Sequence, residues 1–205
     1  MTILVGTDPN QVPLNSMLGA QAFLDRPAPS ERTHALLATT TVGSAVATVD
    51  FTSGFDARWR AMLLVWHGVL PATADHIAVR TSADGSAWDS GASNYVHALQ
   101  RMQSAGSASG YGASDTLGYI NSIATVSATA AHGGSNGSIL LANHADTTLA
   151  KHLLVTESHG TGSGGTASAQ GSIVRNATTA VAGLRILFSG GANVAAGTFY
   201  LYGVN

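Results

Sequence analysis

Eight histidines, nine aspartates and two glutamates carry most of the chemistry open to this 205-residue chain, which has no cysteine and a single lysine, Lys151. The histidines (His34, His67, His76, His97, His132, His144, His152 and His159) suggest a metal first. Protein zinc sites often use compact spacings such as His-x-His or HExxH, and none occurs; the nearest pair, His152 and His159, lies seven residues apart. Asp84, Asp89 and Asp115 raise calcium, because "SADGSAWDSG" spaces two carboxylates five residues apart. A calcium loop needs alternating ligands and a closing glutamate, and a turn at Asp84-Gly85 accounts for the same residues. For nucleophilic catalysis, "GTGSGGT" is no G-x-S-x-G elbow, and no local pairing of carboxylates favours glycoside hydrolysis. No phosphate loop is present. The expectation is a non-enzymatic protein with no catalytic residue, metal or cofactor.

The aromatics offer binding rather than catalysis. Trp88, Tyr111 and Tyr119 lie near Gly, Ser and Asp residues, and ring faces beside hydrogen-bonding side chains can stack on sugars. They are the candidate glycan-binding residues. Trp66, flanked by Leu64-Val65, is expected in the core with Phe188 and Phe199.

Strands must position these residues. Charged residues make up only 10% of the chain, against 24 glycines and 45% hydrophobic residues. Such a composition, with one lysine and two glutamates, lacks the usual material of helical surfaces and suits strands with uncharged polar faces. Short strands are expected at Val46–Phe51, Trp59–Trp66, "HIAVRTS", "SILLANH" (after an Asn136-Gly137 turn), "KHLLVTES", "GLRILFSG" and "GTFYLYGV", the last two joined through Gly190–Ala196. "SNYVHALQRMQSA" fits a helix through Tyr95, Leu99 and Met102 or a strand through Tyr95, His97 and Leu99; its β-rich neighbours favour the strand. "GTGSGGTASAQGS" (Gly160–Ser172) reads as a long loop and outer tip. The net charge of -2, with no basic stripe, gives no footprint for nucleic acid. No apolar run approaches the roughly 20 residues of a membrane span, and no signal peptide is visible.

Ahead of the strands stands "VGTDPNQVPLNSMLGAQAF", stiffened by Pro9 and Pro13 and rich in amides. Residues 1–25 read as an extended anchoring arm, with Val12, Leu14, Met17, Leu18 and Phe23 filling shallow pockets on a partner. The prolines reduce the ordering cost of docking. Residues 26–45, opening "RPAP", read as a linker, and 46–205 as an all-β, jelly-roll-like sandwich.

The arm resembles segments of tailed-bacteriophage fibre and appendage proteins. "LLVWHGVLPATADHIAVRTSADGSAWDSGASNY" resembles the front half of a phage virion domain, and "LRILFSGGANVAAGTFYLYGV" its closing hairpin. The resemblance implies a structural protein of the virion, a head decoration, head fibre or short tail fibre, made in the host cytoplasm. It implies capsid or tail proteins as partners and a homotrimer, since such appendages are commonly trimeric. It carries over no catalytic residue. A host-surface carbohydrate-binding module is the alternative expectation.

Overall fold

The computed structural model describes residues 34–104, 106–122 and 124–205; the arm residues Val12, Leu14, Met17, Leu18 and Phe23 lie outside them. In chain order the strands are β1 (His34–Val42), β2 (Thr48–Phe51), β3 (Ala61–Pro71), β4 (Ile77–Ser82), β5 (Tyr95–Gln103), β6 (Gly106–Asp115), β7 (Gly118–Tyr119), β8 (Ser135–Ala142), β9 (Lys151–Gly160), β10 (Thr166–Arg175), β11 (Gly183–Phe188) and β12 (Val194–Val204). One 3₁₀ turn, Ala130–His132, precedes β8. An eight-stranded sheet runs β1-β12-β3-β8-β9-β10-β5-β6, and a four-stranded sheet runs β2-β11-β4-β7. The chain is all-β, a jelly-roll-like sandwich of two antiparallel sheets.

Alternation builds the core. In β3, Met62, Leu64 and Trp66 are fully buried while Leu63 and Val65 are half-buried on the opposite face. Ile139 and Leu141 of β8, Leu153 and Val155 of β9, and Phe199 and Leu201 of β12 join them against Val49 and Phe51 of β2 and Leu184, Ile186 and Phe188 of β11. The Phe51 and Phe199 rings meet across the two layers at 6.4 Å. Among the described residues no helix is long and apolar enough to cross a membrane.

Four local expectations change. The segment expected as a linker contains β1, which pairs with β12 from His34–Val204 to Val42–Gly197, so the sandwich begins by residue 34. Its run HALLATTTV is rich in β-branched residues, which favour a pleated edge over a coil. Asn136-Gly137 is not a turn but lies inside β8, opposite Ser158 and Glu157. A Cβ at Gly137 would stand 2.5 Å from the Thr156 carbonyl oxygen and 2.6 Å from the Trp66 ring, so glycine serves close packing there. The long loop expected at 160–172 shrinks to Thr161–Gly165, because Thr166–Arg175 pairs on both sides as β10. β11 and β12 form no hairpin; they belong to different sheets, and their connection carries the chain across the sandwich. Residues 95–103 are a strand, with Tyr95, His97, Leu99 and Arg101 buried in alternation.

Candidate functional site

The structure separates the aromatic residues singled out for sugar stacking. Trp88 is half-buried, and the Arg185 guanidinium sits 4.3 Å from its ring centroid. Asp50 grips that guanidinium through two bonds of 2.7 and 2.6 Å, so one indole face is already occupied. Tyr119 lies at the other end of β4: it pairs with Ala78, whereas Trp88 bridges Ser82. Its ring stands 5.1 Å from His97 and 6.4 Å from His76. Tyr111 pairs with Ala98 in β6, and its side chain is outside the described residues. Trp88 and Tyr119 therefore share no stacking surface.

The three aspartates are also apart. Asp84 closes its own turn, accepting from the Ser86 and Ala87 amides at 2.7 Å each, and these bonds hold its carboxyl well below the usual carboxylate range. Asp89 pairs with Arg175 at 2.6 Å, and Asp115 faces His97 at 3.4 Å. Among the described residues no three His, Asp or Glu side chains are grouped to hold a metal.

What the fold assembles instead is a polar end to the sandwich. Register sets Arg101, Ala169, Glu157 and Gly137 in one row across β5, β10, β9 and β8, and Gln103, Ala167, His159 and Ser135 in the next. Alternation turns this face inward, so Arg101, Glu157, His159 and Ser135 are all buried. Between them stand Ala167 and Ala169, both buried. A hydrogen-bonded chain braces the rows. Trp66 Nε1 donates to Ser135 Oγ at 2.9 Å, and Ser135 Oγ donates to Glu157 Oε1 at 2.7 Å. His159 Nδ1 lies 3.0 and 2.9 Å from the two Glu157 oxygens, which assigns its proton to Nδ1. Asn121 sits between the histidines: its Oδ1 accepts from His76 Nδ1 at 3.3 Å, whereas its Nδ2, 3.5 Å from His159 Nδ1, makes no bond there because that proton goes to Glu157.

Ser135, His159 and Glu157 have the composition of a hydrolytic triad but not its wiring. The serine bonds the carboxylate and the indole rather than the imidazole, and it is fully buried. A nucleophilic serine needs a base on its own hydroxyl. The trio is a brace.

His76 stands on an open depression of about 470 Å³, lined also by Arg101, Gln103, Thr125, Thr161 and Ser163. Its walls are tied down. Val126 bridges Asp75 on one side and Thr161 on the other. The Thr161 amide donates to the Gly165 carbonyl at 2.8 Å, closing the turn. Asp75 is held by the Gly190 amide, 3.0 and 2.9 Å from its two oxygens, and by the Ala192 amide at 3.3 Å. Arg101 is only 5% exposed, and its Nε has no hydrogen-bond partner. His159 Nε2, on the same inward face, is buried and unpartnered as well. Sequence reasoning named His76 and His159 only among the eight histidines and missed Arg101, Gln103, Thr125, Thr161 and Ser163. The available signal was alternation: in "KHLLVTESH" and "YVHALQR" the charged residues fall on the same parity as Leu153, Val155 and Leu99.

No protein-family model, curated protein or solved structure matches this chain.

Proposed function

We propose that this chain is a non-enzymatic structural subunit of a bacteriophage virion, docked through residues 1–25 to a capsid or tail protein and displaying its sandwich outward as a homotrimer. The observation that supports this reading is an inverted charge distribution. The charged residues on the eight strands of the large sheet are Arg101, Asp115, Lys151, Glu157 and Arg175. Four are buried, at 5% exposure for Arg101, 0% for Lys151 and 2% each for Glu157 and Arg175. Asp115 is half-buried beside His97. Among the described residues the outward face of that sheet thus has no formal charge, whereas about a quarter of the residues in a soluble domain are charged. Leu154 and Met102 stand on it at 52% and 66% exposure. A broad neutral face suits packing against protein, and the phage resemblance supplies the setting.

The test is incorporation. Antibodies against the sandwich should label purified particles, and deleting residues 1–25 should abolish labelling while the purified remainder keeps its β-sheet circular dichroism. Normal incorporation of the truncated chain removes the anchoring role, and unlabelled wild-type particles remove the virion assignment.

A second reading, binding of a host-surface saccharide, is favoured by the pocket at His76 and Arg101 rather than by the aromatic residues. Its walls offer amide, hydroxyl and imidazole groups suited to sugar hydroxyls.

A further inference from the structure

The geometry points to an acidic saccharide as the occupant of this pocket, its carboxylate received by Arg101 and its hydroxyls by Gln103, Thr125, Thr161 and Ser163. The inference rests on the saccharide-binding reading and adds the charge of the sugar. Its foundation is the state of Arg101. A guanidinium stays charged at any physiological pH, and a buried charge is costly unless it is paired. Arg101 is buried, lines the depression, and has no ion pair or hydrogen bond with another described residue. The Glu157 carboxylate, two strands away and roughly 10 Å off at the backbone, already serves Ser135 and His159. The charge of Arg101 is left for something that enters the pocket.

The ligand's class follows from the walls. A planar carboxylate matches the guanidinium fork. One cation among neutral groups suits one carboxylate, whereas a doubly charged phosphate calls for more positive charge than Arg101 alone presents. Three hydroxyls and an amide suit a polyhydroxylated body better than an apolar one. The volume falls within the roughly 300–1,000 Å³ typical of small-molecule sites. The turn at Thr161–Gly165, in which the Thr161 hydroxyl donates to the Gly165 carbonyl at 3.2 Å and meets Ser163 Oγ at 3.1 Å, and the stitched Val126 segment hold these oxygens in place as acceptors for sugar hydroxyls, which limits the ordering cost.

The experiment is calorimetry on the full chain with three probes: a glucuronic-acid disaccharide, the same disaccharide with its carboxylate reduced to the alcohol, and acetate. The acidic disaccharide should bind at least tenfold more tightly than the other two, and Arg101→Gln should erase that preference. In the wild-type chain, an arginine Nε–H resonance should shift with the acidic sugar alone, a readout that does not depend on the variant folding. Equal binding of acidic and neutral disaccharides overturns the inference and leaves the saccharide reading standing. Acetate binding as tightly as the acidic disaccharide overturns it in favour of a simple anion site. No binding of either disaccharide defeats both readings.

Discussion

Two arginine–aspartate pairs of similar geometry have different weights at the level of single residues. Arg175 is 2% exposed at its side chain and gives Nε to Asp89 at 2.6 Å and a second nitrogen to the Thr179 carbonyl at 2.6 Å. Asp89→Ala would leave that guanidinium buried without its counter-ion. A loss of about 2–3 kcal/mol is expected, below the full range for buried pairs because Asp89 itself is 22% exposed. Asp50→Ala removes the partner of Arg185, which keeps its contact with Trp88 and more access to water; under about 1 kcal/mol is expected. Urea denaturation of both variants checks the ranking. The histidines add a pH dependence. Burial pushes the His97 and His144 imidazoles below the usual histidine value, opposed by Asp115 for the first and by the Asp56 carbonyl for the second. The unfolded chain takes up these protons near pH 6.5 and the folded chain only below it. Their stabilising contribution is therefore complete above about pH 6.5 and is lost as the pH falls. The urea midpoint should drop between pH 7 and 5, and His97→Gln with His144→Gln should flatten the drop; an unchanged slope in the double variant contradicts the assignment.

Among the elements, the β3–β8–β9 seam joins the core to the polar end. Trp66 crosses it, lying over Gly137 while its indole nitrogen reaches Ser135. Ser135→Ala removes the acceptor from a fully buried indole and one donor from Glu157, for an expected loss of about 1–3 kcal/mol. Gly137→Ala drives a methyl into Trp66 and the Thr156 carbonyl, with a loss of similar size from overpacking. Trp66 fluorescence should change in both variants. If it changes in neither, the seam is not braced as described.

For the whole molecule, the uncharged outward face predicts self-association. Size-exclusion chromatography with light scattering should give a mass above one chain. Leu154→Lys, placing a charge at a site already 52% exposed, should shift the mass toward the monomer while the chain keeps its β-sheet circular dichroism. An unchanged mass would remove that face from the interface.

Much of the fold was legible along the chain. "MLLVWH", "HLLVTES" and "RILF" announce strands because alternation and β-branched or aromatic content are local properties. Gly137 and the final two strands misled for a common reason: a glycine reserved for close packing resembles one reserved for a turn, and a connector between layers resembles a hairpin loop. The pocket was the least legible part. Arg101, Glu157 and His159 are separated by up to 58 positions and come onto one inward face only because β5, β10 and β9 align in one register. By itself the sequence determined the class of the protein, since sparse charge and alternating strands admit few other architectures. Only the tertiary structure decided which charges are buried together, because strand order and register are properties of long-range pairing.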